Sequence, residues 1–152
     1  MNTRIGLGDS HPSLQPQTLQ PPNPHIKKMT RGRKPTAAID EAKKFAERMG
    51  YRWQTNEHPD LPYDLFIFKP GAACIVRVRQ TRYQINPDTM YEDLLPDDLR
   101  EVRALPFPPW IPRELWLRTQ HERVWRRLRV LPTVVSEIEW WGPDDYTNPH
   151  VR

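Results

Sequence analysis

The chain of 152 residues contains one cysteine, Cys74, and this scarcity excludes several classes of protein. A single cysteine forms no internal disulfide and supplies no cysteine-based zinc spacing, so the chain is neither a secreted disulfide scaffold nor a zinc finger. Because the cysteine lies within an apolar run, we interpret it as a small core residue. This cysteine usage is typical of the reducing cytosol, and we expect a cytoplasmic location.

Long apolar runs are missing as well. No stretch of the sequence approaches the ~20 apolar residues that a membrane-spanning helix requires. The first residues also lack the apolar segment of a secretory signal. We therefore expect no membrane partner.

The two ends of the chain have few residues that could build a core. Residues 1–28 are rich in proline and contain no Phe, Trp or Tyr, so they bury too little apolar surface to offset their ordering entropy. We predict that residues 1–34 form a disordered, basic extension, with Met29 as an alternative start of the protein. Residues 142–152 are predicted to form a disordered tail, which leaves one folded domain over residues 35–141.

The charge is mildly basic and dominated by arginine. The net charge is +4, and 17 of the 23 basic residues are arginine. The planar guanidinium is well suited to phosphate groups. A solvated basic surface has the same composition, so the charge alone leaves both a nucleic-acid partner and ordinary solubility open.

Hydrophobic periodicity predicts the elements of the first half of the chain. An apolar stripe at helical spacing indicates a helix over residues 36–49. Aromatic and β-branched residues indicate strands at residues 51–55, 65–69 and 73–83. Pro70 and the glycine that follows it occupy the centre of a tight turn, so the last two strands form a hairpin.

The second half is predicted to contain helices and then strands. Residues 86–105 form one kinked helix or two short ones, because a proline interrupts the pattern. Strands at 113–119 and 123–131 form a second hairpin, and residues 133–141 are either a last strand or a helical turn. This order predicts an α/β domain, bordering on α+β, with a mixed sheet of about five strands flanked by helices.

Three segments of this predicted order carry a resemblance. They are AIDEAKKFAERMGY in the first helix, PYDLFIF in the second strand and CIVRVRQTR in the third. With these segments the chain resembles the PD-(D/E)XK nuclease-like superfamily over residues 36–131, and most closely its archaeal Holliday-junction-resolvase-like members. The resemblance implies a restriction-endonuclease-like fold.

The resemblance also implies a metal-dependent active site that has lost one of its acidic residues. The aspartate of the family maps to Asp64, and the acid-x-Lys motif maps to Arg77-Val78-Arg79. Such nucleases hold Mg²⁺ with carboxylates from two neighbouring strands, whereas Arg77 would repel the cation and can pair with Asp64. We therefore expect a degenerate site without a cofactor. The alternative is that a relocated acid replaces the lost one, either Glu41 or Glu47 of the first helix or Glu57 or Asp60 of the loop before Asp64. Asp64 and Glu41 would then be catalytic, and Asp64 would be a Mg²⁺ ligand.

Arginines at alternate positions on two predicted strands form the other candidate site. Residues two apart on a strand share a face, and a basic face with a tryptophan suits backbone phosphates and an exposed base. The structural alternative is that these arginines neutralise Asp64 or acids of the second helical region, and that the tryptophan packs beneath the first helix. The predicted nucleic-acid-binding residues are Arg77, Arg79, Arg82, Trp125, Arg127 and Arg129.

Three functions follow from these patterns. The first is a catalytically degenerate nuclease-like domain that binds nucleic acid or acts as an accessory in DNA processing. The second is an active metal-dependent nuclease with relocated acids. The third is a protein–protein interaction module, for which proline-rich connectors and six tryptophans are suitable.

Overall fold

A computed structural model describes residues 34–82, 84–119 and 125–138 of the chain. The predicted disordered ends therefore lie outside the described residues, except for Lys34. Over the described ranges the chain forms one mixed sheet of six strands with helices packed on it, which confirms the predicted α/β class. No helix in these ranges is both long enough and apolar enough to span a membrane.

The helices follow the sequence pattern closely. Helix α1 spans Thr36–Arg48, one residue shorter than predicted, and the chain then turns at Gly50 with φ of 86°, a backbone conformation that favours glycine. The second helical region consists of two short helices, α2 (Tyr91–Leu94) and α3 (Pro96–Arg103). They are separate because Pro96 lacks an N–H group and begins a new helix.

The strands lie in the sheet in the order in which they occur in the chain. All neighbours are antiparallel except β3 and β4, which are parallel and joined through α2 and α3. The sixth strand exceeds the predicted number of about five, because the segment left open as strand or helical turn is a strand. The strands are β1 (Arg52–Thr55), β2 (Leu65–Lys69), β3 (Ala72–Thr81), β4 (Arg113–Thr119), β5 (Trp125–Val130) and β6 (Val135–Ile138).

The sheet separates two hydrophobic cores, and β3 contributes to both. Its even-numbered residues Val76 and Val78 pack with Phe45 of α1, whereas Ile75 packs with Leu99 of α3 on the other side. This alternation is the period of two of a strand. It places the arginines at odd-numbered positions of β3 beneath α3.

β2 is shorter than β3, and this difference leaves the end of β3 without a neighbouring strand on one side within the described chain. β2 pairs with β3 only as far as Leu65 opposite Val76, while β4 pairs with β3 up to Thr81. From Arg77 onward, β3 therefore has a strand neighbour on one side only within the described chain. The loop before β2 and the start of α1 enclose this exposed edge.

Candidate functional site

A cleft of about 800 Å³ lies along the exposed edge of β3. It is bounded by the start of α1, the loop that precedes β2 and the end of α3. Asp64, Arg77 and Arg79 all line it, so the structure brings together three of the residues that the sequence singled out. Glu41 does not line the cleft; its carboxylate lies 4.0 Å from the guanidinium of Arg118.

Asp64 is held against the backbone of β3. Its side chain is only 7% exposed, and its carboxylate accepts a hydrogen bond from the N–H of Val78 at 2.6 Å. Burial raises the pKa of Asp64, although the Val78 hydrogen bond and the charges of Arg77, Lys34 and Arg79 act in the opposite direction. The carboxylate therefore accepts the hydrogen bond of a backbone N–H at the edge of β3, where no described strand is paired.

Arg77 and Arg79 form ion pairs with α3, the longer helix in the connection between the parallel strands β3 and β4. The guanidinium of Arg77 lies 3.1 Å from Asp98 and 3.8 Å from Glu101, and that of Arg79 lies 3.2 Å from Asp98. Asp98 is 5% exposed, so the cluster is largely buried. Of the two kinds of partner left open by the sequence, the structure shows acids of the second helical region and not Asp64 for Arg77, and it confirms such an acid for Arg79, because α3 places acids over the odd-numbered residues of β3.

The charges around Asp64 do not fit a divalent cation. Lys34, Arg77 and Arg79 each contribute a positive potential at its carboxylate, and one carboxylate oxygen already accepts a backbone hydrogen bond. Mg²⁺ requires carboxylates with free oxygen atoms in near-octahedral geometry. Across the described residues, no group of three or more His, Cys, Asp or Glu side chains is arranged to hold a metal.

The second group of predicted binding residues lies on the opposite face of the sheet. Trp125 is 6% exposed and stacks on Phe45 of α1, with ring centroids 6.2 Å apart. Arg127 and Arg129 bind the carboxylate of Glu114 at 2.9–3.1 Å. Two arginine groups on opposite faces do not form one surface. Arg82 is exposed, whereas Arg129, with 37% of its side chain exposed, is paired with Glu114.

Glu114 is the buried centre of that second group. It is 1% exposed and also accepts a hydrogen bond from the indole N–H of Trp116 at 2.8 Å. Burial alone would raise the pKa of Glu114, but Arg127, Trp116 and Arg129 together lower it. No local pattern in the sequence points to this acid, because the arginines that it binds lie more than ten residues away.

The structure reveals another basic surface, at the outer edge of the sheet. The Lys43 ammonium lies 4.7 Å from the ring centroid of Trp53, and the Lys69 ammonium lies 4.3 Å from that of Tyr51. A third pair, Arg52 and Phe68 with 6.0 Å between guanidinium and ring centroid, lies on the opposite face of the sheet. We call the group on the α1 side the β1 edge surface, and it consists of Lys43, Tyr51, Trp53 and Lys69.

The sequence did contain a signal for the β1 edge surface. Tyr51-Arg52-Trp53 alternates aromatic and basic side chains, and Phe68-Lys69 ends the neighbouring strand in the same manner. The register joins the two, because Arg52 lies opposite Phe68 and Tyr51 therefore lies beside Lys69. In the sequence the alternation predicts a strand, without showing which side chains the sheet brings together.

Comparison with known proteins adds no identification. Neither the protein-family models, nor the curated proteins, nor the solved structures give a significant match to this chain.

Proposed function

We propose that this domain binds nucleic acid and lacks metal-dependent cleavage. The proposal of nucleic-acid binding is based on the β1 edge surface, where two cations, Lys43 and Lys69, each lie over an aromatic ring. Proteins that bind single strands combine cations for the phosphates with aromatic faces on which bases stack. Lys43 and Lys69 connect α1 and β2 to this edge, so the surface is held by three elements.

The proposed lack of metal-dependent cleavage is based on the charged residues of the cleft. The element order and the place of Asp64 before β2 support descent from a nuclease-like fold. At the position of the second acid stands Arg77, whose guanidinium pairs with Asp98 at 3.1 Å. A cation there opposes Mg²⁺ binding, since like charges within a few ångströms repel strongly in a partly buried site.

The paired arginines are poor candidates for phosphate contacts. Arg77 and Arg79 would have to leave buried Asp98 to bind a phosphate, and leaving a buried charge unpaired costs several kcal/mol, about 3–5. Charge reversal at these positions would therefore damage the fold as well as any binding. Lys43 of the β1 edge surface is a better test residue, because it lies over the ring of Trp53 and takes no part in the buried ion pairs.

The experiment measures binding of the full chain to labelled single-stranded and duplex oligonucleotides by fluorescence anisotropy. Lys43→Glu should weaken binding by about 10-fold, and the wild-type affinity should fall steeply with salt because phosphate contacts release counterions. Arg100→Glu is the matched control, since it makes the same charge change at an exposed arginine of α3. No binding at low salt, or an equal loss of affinity in both variants, would contradict the proposal that this surface binds nucleic acid.

Cleavage is tested separately with branched, single-stranded and duplex substrates in Mg²⁺ and Mn²⁺. We expect every substrate to remain intact. Cleavage by the wild-type chain that disappears in Asp64→Asn would instead establish an active nuclease with relocated acids.

A protein–protein interaction module is the second candidate, and one observation favours it. Trp110 is 77% exposed within the proline-rich connector between α3 and β4, and aromatic residues of this kind are enriched at protein interfaces. This function would be preferred if the chain bound no nucleic acid and a purified partner bound the wild type but not Trp110→Ala.

A further inference from the structure

A second cavity, of about 500 Å³, lies at the end of β1 and adjoins the β1 edge surface. Trp53 belongs to both, because it lines this cavity and the Lys43 ammonium lies over its ring. A nucleic-acid strand whose phosphates contact the β1 edge surface therefore has this cavity within reach of its bases. The other lining residues are polar or aromatic: Gln54, Thr55, Glu57, His58 and Tyr63.

Most of the side chains that line this cavity have unused hydrogen-bonding groups. Apart from Trp53 and Tyr63 they are exposed, and none of them forms a side-chain hydrogen bond or ion pair with a described residue. The cleft along β3 differs, because the guanidinium groups that line it are paired with Asp98. The cavity thus presents donors and acceptors that a ligand can use without breaking contacts within the described chain.

One side chain holds the loop that supplies half of the cavity. The amide nitrogen of Asn56 donates to three carbonyls at 2.9 Å each, those of His58, Leu61 and Tyr63. Its amide oxygen accepts from the N–H of His58 at 2.7 Å, and its backbone N–H donates to the carbonyl of Asp64 at 3.0 Å. A loop fixed in this way loses little conformational freedom when a ligand binds, so the lining residues are preorganised.

Glu57 is the carboxylate of the cavity, and its chemistry selects among bases. An ionised carboxylate accepts hydrogen bonds and donates none. The Watson–Crick edge of guanine presents two adjacent donors, N1–H and the N2 amino group, so both carboxylate oxygens can accept at once. The other bases place an acceptor beside their donor, and this acceptor repels the carboxylate. His58 and Gln54 carry donors for the O6 and N7 acceptors of guanine.

We propose that this cavity binds an unpaired guanine of a single strand whose phosphates contact the β1 edge surface, with Glu57 accepting from its N1–H and N2 amino groups. The inference rests on the proposed nucleic-acid binding and adds to it a single-stranded substrate and a preferred base. A guanine within a duplex does not fit this role, because its partner base already occupies the same edge.

The primary test compares labelled oligothymidine with the same oligonucleotide carrying one central guanine, by fluorescence anisotropy of the full chain. The guanine should strengthen binding by about 10-fold, the scale on which one bidentate contact discriminates between bases. Hypoxanthine at the same position lacks the N2 amino group and should lose most of this gain. Equal affinities for the thymine and guanine oligonucleotides would overturn the inference while leaving binding by the β1 edge surface in place.

Variants separate the cavity from the β1 edge surface, and the readout is the ratio of the two affinities. Glu57→Gln should abolish the preference for guanine, whereas Lys43→Glu should weaken both complexes by the same factor and keep the preference. Asp60→Asn is the matched control, because this exposed acid of the same loop lines the cleft and not the cavity. Loss of the preference in Asp60→Asn as well would contradict recognition by Glu57.

A titration with guanosine monophosphate tests the cavity independently of the β1 edge surface. In NMR spectra of the ¹⁵N-enriched full chain, the amide signals of Gln54, Glu57 and His58 should shift with this nucleotide and not with uridine monophosphate. Failure of every oligonucleotide to bind would contradict the proposed function, whereas the absence of these shifts would overturn the present inference.

Discussion

The guanidinium of Arg77 donates a hydrogen bond to the carboxylate of Asp98 at 3.1 Å, across the interface between β3 and α3. Both side chains are largely buried, and Arg79 shares the same carboxylate. The crossover helix thus supplies the counter-charge that allows two arginines to lie under it.

Replacing the shared acid should destabilise the domain. Asp98→Ala leaves Arg77 and Arg79 without their principal partner, and breaking a buried pair costs about 3–5 kcal/mol. Asp97→Ala is the matched control, because Asp97 precedes it in α3 and pairs at the surface with Arg100, a contact worth about 0–1 kcal/mol. Urea denaturation measures the free energy of unfolding of both variants. Equal losses would show that the buried ion pairs contribute no more to stability than the surface pair.

Glu114 should make stability depend on acid pH. Because its pKa is lowered in the folded protein, its contribution is present above the unfolded value of about 4.3 and is lost as the pH falls through the folded pKa. Glu114→Gln should therefore be less stable than the wild type at pH 7 by about 3 kcal/mol, and the difference should shrink below pH 4.3. Denaturation midpoints from pH 3 to 7 provide the measurement, and a pH-independent difference would contradict this role.

Asp64 should act through its oxygen atoms rather than as a metal ligand. Asp64→Ala removes the acceptor of the Val78 N–H and should cost about 1–3 kcal/mol, because a buried donor is left unsatisfied. Asp64→Asn keeps an acceptor and should cost less. Burial raises the pKa of Asp64, so its favourable contribution is present below the unfolded pKa and is lost as the pH rises through the folded pKa. The stability of Asp64→Asn relative to the wild type should therefore increase as the pH rises through the folded pKa of Asp64.

Thermal denaturation with and without Mg²⁺ distinguishes these roles. A capping carboxylate gives the same melting temperature in both conditions. A selective rise with Mg²⁺ in the wild type, absent from Asp64→Asn, would indicate a metal ligand instead.

The thiol of Cys74 should be unreactive in the native protein. It is buried, and burial raises the pKa of Cys74 well above its usual value, with Glu114 adding to the effect. Since the thiolate is the reactive form, we expect an aromatic disulfide reagent at pH 8 to label the chain only after a denaturant is added. Rapid labelling of the native chain would place Cys74 outside the core.

Local patterns were sufficient for most of the secondary structure. The strands at residues 65–69 and 113–119 have the predicted bounds, because alternation and turn residues act over a few neighbours. The end of α1 was predicted to within one residue for the same reason. The sixth strand was not decided, since β6 is short and depends on pairing with β5.

The sequence by itself determined the elements, the α/β class and the alternation that places Arg77 and Arg79 on one face of β3. Only the tertiary structure decided what those arginines contact, and it selected Asp98 rather than Asp64. It also joined Tyr51 and Lys69 into one surface. The physical reason is range: backbone periodicity is set by adjacent residues, whereas a charged side chain is neutralised by whichever opposite charge the packed chain brings within a few ångströms of it.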